Sequence, residues 1–142
     1  MPSIAWLAIA AVIVIASAAG YSLFEGPGDL SLAEAAALRD HSEVLRLIQR
    51  GANPDAEARV RPGLMRRDVP RLTPLEAAIG EHHPETVEFL IGHGARVDRT
   101  NLPRLMCFAL QEHQDEAVNS LTSRAHAVAP PDCGSVDLPW RD

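Results

Sequence analysis

The stretch Leu72-Thr73-Pro74-Leu75-Glu76-Ala77-Ala78, continued by His83-Pro84-Glu85-Thr86-Val87 and Leu90-Ile91 and closed by Gly94-Ala95, decides the fold. Thr73 can cap a helix whose first turn opens on Pro74, where the missing N–H costs nothing, and Ala77 and Ala78 let a neighbouring helix approach closely. Val87, Leu90 and Ile91 follow i, i+3, i+4 spacing, so they mark one face of a second helix. Gly94 falls where such a helix ends in the left-handed conformation. The unit read from these residues is a helix-turn-helix hairpin. Working outward, Val44, Leu47, Ile48 and Gly51-Ala52 repeat the second helix and its glycine end, every position displaced by one interval. Repeats of this kind are sought first because they define the whole architecture.

The middle unit resembles the ankyrin repeat: Thr73-Pro74-Leu75-x-Ala77-Ala78, then His83-x-Glu85-x-Val87, then Leu90-Ile91-x-x-Gly94-Ala95 reads like that family's signature. Glu76 stands where the family usually has histidine, which predicts a weakened buried hydrogen-bond network at that point. The first unit, from Leu32-Ala33-Glu34-Ala35-Ala36 to Gly51-Ala52-Asn53-Pro54, lacks the Thr-Pro pair and reads as a terminal cap. A third unit lies over Leu105 to Leu110 and His113 to Ala117, with Leu121 as a later apolar position and Ser120 laid against Leu90. The resemblance covers about residues 29–125 and implies an all-α stack of about three helix-turn-helix units; the competing reading is a generic bundle of α-hairpins. The expected boundaries are 1–24 for a membrane helix or signal anchor, 25–125 for the repeats (units at about 30–55, 72–98 and 102–125, with an inserted loop at 56–71) and 126–142 for a C-terminal tail. About three repeats is the minimum for a stable stack, so marginal stability is expected.

From Met1 to Phe24 there is no charged side chain, and Ile4 to Leu23 is mainly Ala, Ile, Val and Leu. As a helix this run would span about 30 Å, the hydrocarbon thickness of a bilayer. Trp6 and Tyr21 sit near its ends, where interfacial aromatics belong. Ala16-Ser17-Ala18 offers a signal-peptidase pattern, but no Lys or Arg precedes Ile4 to form a positive n-region, so a single-pass anchor is the reading adopted. Acidic Glu25 and Asp29 follow the run, and the repeats are expected on the extracytoplasmic, periplasmic side.

Composition narrows the function. The 142 residues carry 19 acidic and 13 basic side chains, a formal charge of −6, which argues against a general nucleic-acid binder. Every basic residue is arginine, a bias expected of a GC-rich bacterial genome. Cys107 and Cys133 lack CxxC spacing. They could form one bridge in an oxidising compartment, or Cys107 could be a small buried hydrophobe and Cys133 a free thiol in the tail. His82, His83, His93 and His113 show no metal-ligand spacing; His83 and His113 are read as equivalent turn positions, and Glu85 and Asp115 as solvated residues opening second helices. No phosphate loop, GxSxG or HExxH occurs, so no enzyme, no cofactor, no metal and no small-molecule substrate are expected.

The glycines Gly51 and Gly94 stand about ten residues further apart than the ankyrin-like period of about 33. The insertion falls between Asp55 and Leu72, at the loop that projects as a finger in such stacks, and holds Arg59, Arg61, Arg66, Arg67 and Arg71 interleaved with Val60, Leu64, Met65 and Val69. These five arginines are the expected contact for an acidic protein partner or anionic lipid headgroups; a solvated spacer loop is the alternative. The expected function is a membrane-tethered interaction module binding an unknown protein partner through the repeats and this loop. The alternatives are a redox-responsive cell-envelope protein using Cys107 and Cys133, and an inhibitor- or immunity-like protein covering a target enzyme.

Overall fold

The computed structural model of the protein describes residues 29–125 and 131–140. The expected membrane helix lies outside the described residues; among those described, no helix is long and apolar enough to cross a membrane.

The first unit contains α1 (Leu32–Ala37) and α2 (His41–Gln49), the second α3 (Pro74–Gly80) and α4 (Pro84–Gly92), and the third α5 (Leu102–Gln111) and α6 (Asp115–Ala125). Two short antiparallel strands, β1 (Ala58–Arg59) and β2 (Arg71–Leu72), precede α3 and pair Ala58 with Leu72 and Arg59 with Arg71. Helices of six or seven residues do not persist alone in water. Two devices hold α1 and α3. Each opens with a reciprocal capping box, Ser31 with Glu34 and Thr73 with Glu76, which satisfies backbone donors left over at the helix start. Each is also buried along its whole length, and Ala33, Ala35 and Ala36 of α1 and Ala77 and Ala78 of α3 are closed to solvent. Small side chains at these positions let the first helices α1, α3 and α5 stack in one layer. The second helices form the other layer and bury only a stripe: Val44 in α2, Thr86, Val87 and Leu90 in α4, Ala117 and Leu121 in α6.

The turns between paired helices fix the register of the repeats. Arg39, His82 and His113 adopt left-handed backbone conformations at φ of 59°, 63° and 55°. His113 therefore corresponds to His82, not to His83 as the sequence pattern suggested. The same one-residue shift makes Leu121 the counterpart of Leu90, both fully buried, and sets Ser120 opposite Phe89. The third unit is thus more regular than its sequence implied. Gly51 and Gly94 end α2 and α4 at φ of 96° and 106°, the conformation their sequence positions called for.

Glu76 also departs from expectation. It does not weaken the buried network but builds another, accepting from the Thr73 N–H at 2.9 Å and pairing with Arg104 of the next unit. Glu34 does the same one unit earlier: its carboxylate accepts from the Ser31 N–H at 2.9 Å and from the backbone N–H and Nε of Arg61 at 2.9 and 2.8 Å. Counted back from the turn residues, Cys107 stands in α5 where Glu76 stands in α3. Its Sγ is bonded to that of Cys133. The three forward links span 27, 28 and 26 residues, so a side chain of each first helix joins its unit to the chain that follows, twice by an ion pair and once by a covalent bond.

Candidate interaction surface

The inserted loop does not stand clear of the stack as a finger. Val60 and Met65 are buried, and Val60 N–H donates to the Pro70 carbonyl at 3.1 Å, closing the loop above the two strands. Gly63, at φ 78°, turns the tip and its N–H donates to Asp68 at 2.7 Å. The apolar residues interleaved with the arginines thus serve the protein's own core, because a loop that can bury Val60 and Met65 gains hydrophobic free energy that a solvated finger forgoes.

Of the five arginines, three are engaged with the stack. Arg61 embraces the buried Glu34. Arg66 donates its backbone N–H to Glu81 at 2.8 Å, hydrogen-bonds the Gly80 carbonyl through Nη2, and lies 3.8 Å from Glu112. Arg67 sits 5.6 Å from the centroid of the Trp140 ring. The remaining two face each other across the ladder. Arg59 is exposed opposite Arg71, whose guanidinium reaches the Glu57 carbonyl at 3.0 Å and the exposed Glu57 carboxylate at 3.7 Å. Like charges directly opposite on a strand pair destabilise it, so this pair is not there to hold the hairpin together.

A second feature went unread in the sequence. Residues 131–140 lie back on the first-helix layer, where Trp140 meets Phe108 edge-on with ring centroids 4.6 Å apart. Its indole N–H donates to Glu112 at 2.8 Å, and its carbonyl accepts from Gln111 at 3.2 Å. Glu112 also lies 3.1 Å from His82 Nε2. No local pattern announces this seat; only the Cys107 and Cys133 pair hinted that the C-terminal part returns to the stack.

Burial alone would raise the carboxyl pKa of Glu34, but the hydrogen bond from Arg61, the Ser31 and Arg61 backbone N–H groups and the Arg61 charge outweigh it and hold the group below its ordinary value. Glu112 behaves alike: burial pushes it up, and Trp140, His82 and Gln111 bring it down further. A carboxyl depressed in the folded state contributes stability that is complete above its unfolded pKa and is lost as pH falls through the folded one. Thermal stability should therefore be level above the ordinary value of 4.5 and decline below it. Glu34→Gln should flatten part of that decline; melting curves recorded across the acid range that superimpose for the two proteins would refute the assignment.

The histidines are dispersed. His41 stacks on Phe89 at 4.5 Å and meets Thr86 Oγ1 at 2.9 Å, His83 meets the Ala37 carbonyl at 3.1 Å, and His93 stacks on the other side of Phe89. Among the described residues no group of three or more His, Cys, Asp or Glu is placed to hold a metal ion. An open groove of about 490 Å³ between α4 and α6 is lined by Glu85, Glu88, Glu116, Asn119 and serines, and in it the Ser120 hydroxyl donates to the Glu88 carboxylate at 2.9 Å.

The family model for the ankyrin repeat matches residues 71–102, which span β2, α3, α4 and the approach to α5. No curated protein and no solved structure matches the chain. Residues 71–102 are thus an ankyrin repeat, and the flanking units are built on the same helix, left-handed turn and helix. Ankyrin repeats in general mediate protein–protein interaction.

Proposed function

We propose that the protein is a membrane-tethered interaction module that holds an acidic protein partner against the hairpin edge of its repeat stack. The observation that carries this reading is the cross-strand pair Arg59 and Arg71. Their like charges oppose each other beside a rigid scaffold, a cost that binding an acidic surface offsets, and paired guanidinium forks suit carboxylates. Arg61, Arg66 and Arg67 would then act indirectly, by holding the loop that presents the hairpin. The tether is the uncharged run from Ile4 to Leu23. A disulfide persists in oxidising compartments, which favours placing the repeats on the extracytoplasmic side.

Affinity capture from detergent-solubilised membranes tests the reading. Arg59→Glu with Arg71→Glu should leave the melting temperature within a degree or two and reduce partner recovery at least tenfold, and wild-type capture should fall as salt rises. Undiminished recovery by the charge-reversed protein at low salt would exclude the hairpin as the contact.

A further inference from the structure

Residues 131–140 have no helix or strand of their own, yet they are seated by a set of complementary groups. The floor is Phe108, closed to solvent. One wall is the Glu112 carboxylate, which receives the indole N–H, and the other is the Arg67 guanidinium by the ring. Two side chains of α5 read the backbone: Gln111 donates to the Trp140 carbonyl and Arg104 Nη1 to the Asp137 carbonyl at 2.8 Å. The notch exists because α3 ends on Gly80, where a Cβ would overlap the Trp140 ring. An apolar floor, an acidic acceptor for an indole, a cation on the ring and donors for main-chain carbonyls together make a receptor for an extended peptide.

The link that keeps this seat filled differs in kind from its two predecessors. Glu34–Arg61 and Glu76–Arg104 join unit to unit by ion pairs, whereas Cys107–Cys133 exists only when oxidised. The bond shortens the tether that carries Trp140 back to α5 and so raises its effective concentration at the notch; without it the segment is held there by noncovalent contacts at the end of a longer loop.

We infer that the face around Gly80, Phe108 and Glu112 is a binding site for an extended, tryptophan-bearing segment of a protein partner, filled in the oxidised protein by residues 131–140 and opened by reduction of Cys107–Cys133. The inference rests on the interaction-module reading and adds a second, gated contact to it. The reductant is a dithiol. One of its thiolates attacks Sγ of the half-buried Cys133 and expels the Cys107 thiolate; its second thiol then displaces Cys133. Two electrons and two protons pass to the pair, leaving two cysteine thiols, and the reductant departs as a disulfide.

The test uses the full chain in detergent. In a Trp6→Phe background Trp140 is the one remaining tryptophan. Dithiothreitol should redden its emission and raise its quenching by acrylamide at least threefold while helical circular dichroism stays constant. Unchanged quenching would mean that the disulfide gates nothing, and loss of helix would mean that it fastens the stack; either overturns the inference. In the second arm a fluorescein-labelled peptide of residues 131–140, with serine for cysteine, is titrated by anisotropy into oxidised wild type and into Cys133→Ser/Trp140→Ala protein. Binding should be at least tenfold tighter to the variant and be abolished in a peptide with alanine for tryptophan. Equal binding to both proteins, or binding without the tryptophan, overturns the site. Neither arm involves Arg59 or Arg71, so failure here is separable from failure of the hairpin contact.

Discussion

Leu90→Ala should destabilise the stack by about 2–5 kcal/mol, the range for removing a buried leucine and leaving a cavity its neighbours only partly fill. Leu90 is closed to solvent on α4, in the layer where α4 packs against α6, and its counterpart Leu121 is equally closed. A domain of this size has a net stability of roughly 5–15 kcal/mol, so the loss is a large fraction of the whole. Leu121→Ala should cost a similar amount. Ser120→Ala, one residue away, should fall within about 0.5 kcal/mol of wild type, as surface substitutions do. Urea unfolding of the three variants decides the register: a sensitive Ser120 and a tolerant Leu121 would restore the alignment suggested by sequence and refute the one set by the left-handed turns.

Local chemistry made the central unit legible and tertiary chemistry hid the rest. A Thr-Pro start, an i, i+3, i+4 stripe and a glycine end each act within one helix, so residues 72–95 could be read without knowing what they pack against. The third unit slipped by one residue because His113, not glycine or asparagine, occupies its left-handed turn. Histidine is enriched in that conformation, but with His82 and His83 adjacent the residue type did not say which of the two His113 matches. The role of Glu76 was nevertheless available. Ser31 followed by Glu34 and Thr73 followed by Glu76 both satisfy the capping-box pattern, and their recurrence marks the glutamate as part of this chain's own repeat.

The interaction surface was legible in composition and not in placement. Five arginines in one inserted loop were visible, but which of them remain available depends on where the loop lies. Burial of Val60 and Met65 folds it down, and that brings Arg61 to Glu34 and Arg66 to Gly80 and Glu112. All five stay exposed, but Arg59 and Arg71 are set side by side on the ladder and away from these contacts, a distinction that follows from strand register and not from charge count. The Trp140 seat was more remote still, since Gly80, Phe108, Glu112 and Trp140 meet through two helices and a returning segment, with no sequence period in common.

Phe108→Ala should be the more damaging of the two core truncations, at about 3–5 kcal/mol. The ring is closed to solvent in α5 at the position that Ala77 holds in α3, so the third unit fills with one large side chain the space that the second leaves for close helix contact. Trp140 rests edge-on against it, and an edge-to-face pair contributes about 0.5–1.5 kcal/mol beyond the area it covers. Removing Phe108 therefore leaves a cavity and takes away the floor on which the indole sits. Trp140→Ala alone should cost less, because that side chain is only partly buried and Phe108 keeps its other neighbours. If the two rings act as a unit, the double variant should be more stable than the sum of the single losses predicts, by an amount similar to the pair energy. A double-mutant cycle run on the oxidised protein measures this, with the disulfide holding residues 131–140 near the stack throughout. Strict additivity would show that Trp140 contributes nothing through Phe108, and the floor of the proposed peptide site would have to be sought elsewhere on α5.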